Sequence, residues 1–463
     1  MAAPKLKRGI SYQVEPDRSG FTTTEECHPI NVVPGGVVQG TVGIKELREA
    51  IPPHCFEPTL ARSFLELGRD LLYTALLTCF FFFTIPKLVE FNSLLYYPLM
   101  AIYGLSQGIV WTGLWIQAHE CGHSAFSKYS MVNDAVGWTL HSWLLTPYFS
   151  WKSTHRRHHI YANHVEEDHN YVPPKRDQYL AKLGLKPGQF DELTEDAPAV
   201  LFIRIIIQQL IGWNWYILTN ITCPPTALAK PYKSAWRNSH FDPWGSLFRE
   251  SERLAILLSD LGCFMTIAAL YVLETYLGSW SQVFWFYVVP WTWTNHWIVM
   301  ITYLHHTHPS IPKFDSSHWT FILGATATMD RDFGLIGTHF FHRISSDHVV
   351  HHLFSKIPHY FAHEATNAIV PLLGKSYKRG GFGWEELKLS FSKCQWVEDD
   401  SGKDEMYFGD EAAMETVETS PVVGMERKLK RGLWYRSGPS PAPEFRQRVE
   451  GDEGGNVLSA VVG

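Results

Sequence analysis

The chain has 463 residues and a formal net charge of −6, with 40 Lys and Arg against 46 Asp and Glu. This balance excludes the strongly basic surface typical of nucleic-acid binding. Its seven cysteines are scattered, with no Cys-x-x-Cys pair, which indicates free thiols in a reducing compartment and excludes a disulfide-stapled secreted domain.

Charged residues are missing from two long stretches of the chain. No Asp, Glu, Lys or Arg stands between Glu90 and Glu120, or between Glu274 and Lys313. Each stretch exceeds the ~20 residues with which a helix crosses the hydrocarbon core of a bilayer. We therefore predict an all-α integral membrane protein.

The apolar segments, taken in chain order, predict two transmembrane hairpins. A polar arm at 1–65 comes first and contains one short helical candidate. The four predicted membrane spans lie at about 71–90, 94–118, 254–277 and 283–304. Together they give four transmembrane helices.

Two weaker apolar segments between the hairpins are predicted to lie in the membrane interface. Residues 136–149 are too few to cross comfortably, and 199–218 are interrupted by polar side chains. The membrane domain would extend over 66–397. Residues 398–463 are acidic and then rich in Pro, Gly and Ser, which predicts a disordered tail.

Basic residues predict the orientation of these spans. The short turns within the hairpins contribute only Lys87, whereas the N-terminal arm and the 119–253 loop carry many Lys and Arg. By the positive-inside rule, the large segments and both termini face the cytosol.

Histidine is unusually frequent, with 23 copies, and many of them form three clusters: HECGH, HRRHH and HVVHH. Spacings of three and four residues place such side chains on one helix face, and imidazole suits Zn, Cu, Fe and Ni. The eight predicted metal ligands in these boxes are His119, His123, His155, His158, His159, His348, His351 and His352. A further group, His305, His306 and His308, leaves the last predicted span.

The predicted topology and the metal site depend on one another. With four spans, all three boxes and His306 fall on the cytosolic side. If 199–218 alone were added as a crossing, the third box would lie opposite the first two. One shared site therefore favours the four-span topology.

A zinc membrane metalloprotease is the first alternative, because HECGH fits the H-E-x-x-H signature. A catalytic zinc usually takes only three protein ligands, whereas eight or more clustered histidines suit two metals. The extended protease motif also fails, because Phe126 stands where it needs Gly and Tyr129 where it needs His. Glu120 is then predicted to orient a ligand histidine. A metal transporter is the second alternative, although only His296 lies well inside a predicted span.

The three boxes, in order and with hairpins between them, resemble the membrane fatty acid desaturases. The acyl-lipid Δ12/ω3 (oleate desaturase) branch of that family is resembled by four segments: YFSWKSTHRRHH, YLHHTHPSIP, MDRDFG and DHVVHHLFSKIPHY. A fifth segment, AIPPHCFE, is similar to fungal members of the branch. The likeness covers roughly residues 45–397.

This resemblance implies a non-haem centre of two Fe ions that uses O₂ to insert a cis double bond into a membrane-lipid acyl chain. The favoured reaction is Δ12 desaturation of oleoyl to linoleoyl chains. An ω3 (Δ15) desaturase, a dual Δ12/ω3 desaturase and an oleate hydroxylase share the scaffold and remain alternatives.

The resemblance carries the ligand role to the eight box histidines and to His306 as a ninth. His305 and His308 compete with His306 for that place, and His342 joins Glu120 as a candidate supporting residue. The family also implies residence in the endoplasmic reticulum membrane.

Electrons are expected from a separate protein, because neither a dinucleotide fingerprint nor a haem motif is visible. Val33 stands before Pro-Gly-Gly where the haem motif has histidine. The implied partners are cytochrome b5 and its NADH-dependent reductase. Candidate docking residues, which could equally face lipid headgroups, are Lys152, Arg156, Arg157, Lys175 and Arg176.

Overall fold

A computed structural model describes residues 42–182, 184, 198–231, 234–399 and 433–436. Its helices are α1 Ile44–Ala50, α2 Leu60–Phe91, α3 Tyr96–Gly122, α4 Ser130–Trp143, α5 Tyr148–Ile160, α6 Arg176–Lys182, α7 Pro198–Thr219, α8 Arg253–Leu277, α9 Trp280–Val283, α10 Val289–His306, α11 Phe321–Thr326, α12 His348–Leu353, α13 His359–Leu373 and α14 Trp384–Lys393. A π-helical segment, Phe284–Val288, joins α9 to α10. The chain is mostly helical, as predicted.

The described chain contains two hairpins that include its long helices. Helices α2 and α3 are joined at Asn92, whose side chain accepts a hydrogen bond from Leu94 N–H (3.0 Å). Helix α8 ends at Gly278, whose φ of 65° suits a residue without a Cβ, and α9 follows directly. Large apolar side chains on α2, α7 and α8 are exposed, as expected for surfaces in contact with lipid.

Four described helices are long and apolar enough to cross a membrane: Leu60–Phe91, Ser93–Gly122, Ala199–Thr219 and Glu250–Leu277. Three of them contain predicted spans. The fourth, Ala199–Thr219, contains the segment that the sequence predicts in the membrane interface. The predicted span 283–304 is not among these four helices. The physical reason is composition: Thr, Asn, Trp and His side chains lower the hydropathy of α10.

Helices α3 and α10 approach each other closely at two glycines of α3. A Cβ added to Gly108 would lie 2.3 Å from the Trp293 Cβ, and one added to Gly104 would lie 2.5 Å from the Val289 Cγ1. Small residues allow such backbone contact between membrane helices. Farther along, α3 ends at His119–His123 and α10 ends at His306. This packing therefore brings the first histidine box and His306 to the same end of the helices.

A cap covers that end and contains the short strands; it consists of the described residues at 144–182, 220–231, 234–252, 307–399 and 433–436. Strand β1 (Asp330–Asp332) pairs in parallel with β2 (Arg379–Gly381), and β3 (Trp396–Asp399) pairs antiparallel with β4 (Leu433–Arg436). These strands of three or four residues were not anticipated by the all-α prediction.

Strand β4 lies within 398–463, the segment for which composition predicts disorder. Leu433 and Lys313 exchange backbone hydrogen bonds (2.7 and 2.5 Å), and Leu433 and Tyr435 are buried. Their apolar partners include Val165 and Val397. This segment folds because two of its four side chains face a buried surface. The predicted N-terminal arm lies outside the described residues up to residue 41.

Candidate metal centre

Each histidine box occupies a short, well-supported piece of helix. His119 lies in the last turn of α3, and His123 caps that helix. The second box ends α5, where the Trp151 ring stacks on His155 with 4.3 Å between centroids and 19° between planes. The third box is α12 itself, and all six of its residues are buried.

The structure brings eight of the nine predicted ligands together in two neighbouring groups, and the remaining one adjoins the second group. In the first group the ligand nitrogens lie within 4.8 Å of one another, and its members are His119, His123, His155, His159 and His351. The ligand nitrogens of the second group also lie within 4.8 Å of one another, and its members are His158, His306 and His352. His348 adjoins it, with its Nε2 3.2 Å from His306 Nε2 and 3.1 Å from His352 Nε2.

The distances between nitrogens fit ligands that share a metal ion. Nε2 atoms are 3.0 Å apart for His119 and His155, and 3.1 Å apart for His155 and His159. In the second group, His158 Nε2 is 3.3 Å from His306 Nε2. Nitrogens bound about 2.1 Å from one ion lie roughly 3.0–3.4 Å apart for octahedral to tetrahedral angles. Each group therefore has the dimensions of one metal site.

The chemistry of these imidazoles also fits metal binding. The Nε2 atoms of His123 and His351 are buried and have no hydrogen-bond partner among the described residues. Burial lowers the pKa of His123 to about 3, and burial with neighbouring histidines lowers the pKa of His155, His159 and His352 well below the usual range. The rings are therefore neutral at physiological pH, which is the form that binds metal ions.

A carboxylate holds one of these rings in place. The Oδ1 of Asp168 is 2.7 Å from His158 Nδ1, and the same carboxylate accepts hydrogen bonds from the N–H groups of Asn163 (3.0 Å) and Asn170 (2.9 Å). Glu120 lies 3.8 Å from His119 Nδ1, beyond hydrogen-bond distance, and accepts a hydrogen bond from His359 N–H (2.9 Å) instead. A carboxylate partner such as Asp168 fixes the orientation of a metal-binding histidine.

The other candidate histidines lie outside the two groups. Both ring nitrogens of His305 face backbone carbonyl oxygens, with Nε2 2.9 Å from the Ser345 oxygen. His308 Nδ1 is paired with Ser310 Oγ at 2.7 Å. Among the three histidines at or just after the end of α10, only His306 enters a group.

His342 points toward the membrane helices instead. Its Nε2 lies 2.6 Å from Asp70 Oδ2, and its ring contacts that of His359 (4.5 Å between centroids). Since His359 N–H binds Glu120, one link from His342 to the cluster runs through these two residues, and its Nε2 also lies 3.4 Å from Gln117 Nε2 of α3.

Sequence reasoning missed Asp168, His359 and Tyr435. Tyr435 Oη donates to the His306 carbonyl oxygen (3.3 Å), from a strand far along the chain. The expectation that a metal-binding histidine has a carboxylate partner could have drawn attention to Asp168, ten residues after His158. No sequence signal pointed to Tyr435, because its contact exists only through the β4 pairing.

Three of the five candidate docking residues are held in ion pairs. Lys152 pairs with Asp134 (2.7 Å), Arg157 with Glu252 (2.8 Å) and Arg176 with Glu398 (3.6 Å). Arg156 and Lys175 have exposed side chains.

Comparison with known proteins places the chain in a family. The sequence profile of the fatty acid desaturases matches residues 93–380. An oleate hydroxylase of Claviceps purpurea is 39% identical over 371 residues, 77% of each chain. A Δ12 fatty acid desaturase of Vernicia fordii is 40% identical over 386 residues, which cover 81% of this chain and 92% of the relative.

An omega-6 fatty acid desaturase of Glycine max, an endoplasmic reticulum isozyme, is 39% identical over 380 residues, 81% of this chain and 91% of the relative. The profile match includes all three histidine boxes and both groups of clustered imidazoles. The chain belongs to the fatty acid desaturase family, membrane oxidoreductases that act on the acyl chains of lipids.

Proposed function

We propose that this protein is a Δ12 acyl-lipid desaturase of the endoplasmic reticulum that converts oleoyl to linoleoyl chains at a centre of two iron ions. The observation that carries the proposal is the gathering of eight imidazoles, most of them buried, into two groups of metal-site dimensions, with the His348 imidazole beside the second group. Relatives named as Δ12 and omega-6 desaturases support the position of the double bond, and the Glycine max isozyme supports the location.

The residues of this chain prepare the site for that chemistry. Bound iron would supply the activation of O₂ that an unactivated C–H bond requires. Burial keeps the His123 and His159 rings neutral. Asp168 orients the His158 ring, and the cap limits access of bulk water. The reaction therefore needs metal ligands here rather than a separate acid or base.

The electron balance implies a partner. Taking two hydrogens from the acyl chain provides two of the four electrons that reduce O₂ to two waters. Two further electrons must come from outside, and we propose cytochrome b5 with its NADH-dependent reductase as their source.

We further propose that Trp280–His306 crosses the membrane and that α7 lies at the cytosolic interface. Both ends of α7 contact cap residues: Phe202 meets Trp384 (6.0 Å between centroids), and the Ile217 carbonyl oxygen accepts from His240 N–H (2.8 Å). The run Trp280–His306 is about 40 Å long at 1.5 Å per residue. It lies along α3 from Gly104 to the cluster.

Expression in a yeast host that makes only monoenes tests the proposed reaction. We expect a new 9,12-diene by gas chromatography–mass spectrometry, and its complete loss in His351→Ala with the variant still inserted in membranes. A hydroxylated monoene would instead assign the activity of the Claviceps relative, and a 9,12,15-triene would mean dual specificity. Turnover by His351→Ala would remove that residue from the ligand set.

The docking proposal is tested on the two exposed cations of the candidate surface. We expect the double change Arg156→Glu and Lys175→Glu to raise the apparent KM for cytochrome b5 several-fold, most strongly at low salt. The matched control is Lys45→Glu, an exposed residue of α1. Equal KM values in both variants would dismiss this surface.

A further inference from the structure

A second group of metal-binding side chains lies away from the histidine boxes, where the segment before α2 meets α13. The ring nitrogen of His54, the Sγ of Cys55 and a carboxylate oxygen of Glu364 all lie within 4.8 Å of one another. His54 Nε2 is 3.0 Å from Glu364 Oε2. Imidazole, thiolate and carboxylate are the three ligand types that proteins use for Zn²⁺.

The local backbone fixes the two ligands that are adjacent in sequence. They lie in one 3₁₀ turn, Pro53–Phe56, preceded by Pro52. The N–H of Cys55 donates to the Pro52 carbonyl oxygen (3.0 Å), and the N–H of Glu57 donates to the His54 carbonyl oxygen (3.1 Å). Two consecutive prolines restrict φ at this point, so the turn presents both side chains without requiring much additional ordering.

Packing against α13 fixes the third ligand relative to the first two. The His54 ring contacts Phe361 (5.2 Å between centroids), and Phe56 contacts Phe354 (5.8 Å). Thr59 N–H donates to Tyr360 Oη at 2.8 Å. Because these contacts join the turn to the residues just before Glu364, the three ligand atoms are held close together before any ion binds.

The exposure of the three side chains suits an ion that retains water. Cys55 is buried, whereas the His54 and Glu364 side chains are 55% and 48% exposed. Burial and the Glu364 carboxylate raise the pKa of the Cys55 thiol to about 11. Without a metal the thiol is thus protonated, and a metal ion would displace that proton.

We propose that His54, Cys55 and Glu364 form a separate site for one divalent transition-metal ion of the zinc class, with water as the fourth ligand. The ion would tie the segment before α2 to α13. That helix directly follows the third histidine box, and its first N–H binds Glu120. The site therefore stabilises the cap from outside the centre used for catalysis, and it does not depend on the proposed reaction.

Cobalt spectroscopy of the purified full-length protein tests this site directly. After removal of metals with a chelator, Co²⁺ bound to a thiolate gives a charge-transfer band that imidazole ligands alone do not give. We expect this band to saturate at one Co²⁺ per chain and to disappear in Cys55→Ser. The matched control is Cys79→Ser, which changes an exposed cysteine of α2 and should leave the band unchanged.

Two variants at half-exposed positions test the site without changing the buried cysteine. We expect His54→Ala and Glu364→Gln each to weaken Co²⁺ binding at least about 10-fold, since loss of even an outer partner of a metal ligand has effects of that size. Zinc measured in the protein as isolated should fall by one ion per chain in both. A band that survives Cys55→Ser, no band in the unmodified protein, or unchanged affinity in both variants would each overturn the proposal and leave a hydrogen-bonded triad.

Discussion

At the scale of single residues, the centre depends on groups that hold the imidazoles as much as on the imidazoles themselves. Asp168 meets His158 through a 2.7 Å contact and is itself fixed by two backbone N–H groups. The box spacing identified the eight histidines, because ligands on one helix face must recur every three or four residues. Asp168 lies in a loop, where no periodic pattern marks it.

Replacing Asp168 should weaken metal binding without removing a ligand. Asn keeps the shape and one acceptor oxygen but loses the charge that favours the His158 orientation. We expect Asp168→Asn to lower the affinity for iron about 10–100-fold, measured by metal titration of the chelator-treated protein.

The matched control for this change is Asp315→Asn. Asp315 forms a similar contact with His318 (2.9 Å), which is not part of the cluster. Equal iron affinity in Asp168→Asn and the unmodified protein would show that the His158 orientation does not depend on this carboxylate.

At the scale of secondary-structure elements, a short strand from the predicted tail supports the second metal group. Strand β4 pairs with β3 and with Lys313, and it brings Tyr435 Oη to the His306 carbonyl oxygen. Composition predicted disorder there, since the tail as a whole is poor in apolar residues. Four residues suffice for the strand, because β3 and Lys313 offer backbone hydrogen-bond partners and an apolar cluster buries Leu433 and Tyr435.

Two truncations that differ by this strand test its contribution. A chain ending at 432 loses the burial of Leu433, of the order of 1.5–3 kcal/mol, together with that of Tyr435. It also removes the Leu433 backbone groups that pair with Lys313. We expect its unfolding temperature in detergent to fall by several degrees relative to a chain ending at Arg436, and its bound metal to exchange faster. Identical melting and exchange in the two truncations would contradict a supporting role for β4.

At the scale of the whole molecule, all three histidine boxes lie at the same end of the long helices α3 and α10. Helices α3 and α10 lie side by side through Gly104 and Gly108, and both end at the cluster. The two groups could not form if any box lay across the membrane from the others. The topology with a crossing at Trp280–His306 and with α7 in the interface meets that requirement.

Insertion of a glycosylation acceptor at defined places tests this topology. An inserted loop with an Asn-x-Ser acceptor after Gly278 should be glycosylated in the endoplasmic reticulum lumen. The same loop after Ser316, an exposed position of the cap, should remain unmodified. Modification of the Ser316 insertion, detected by an endoglycosidase-sensitive mobility shift, would place the cap in the lumen and refute the cytosolic orientation.

The sequence by itself determined the class of the protein, the long helices and the eight box histidines. These features are local or periodic, so hydrophobic length and helical spacing suffice to find them. The tertiary structure decided what depends on distant contacts: the grouping of His306 with His158 and His352, the Asp168 and Tyr435 partners, and the triad around Cys55. Each of those pairings joins segments far apart in the chain or in different elements, and only packing brings such atoms within hydrogen-bond or metal-binding distance.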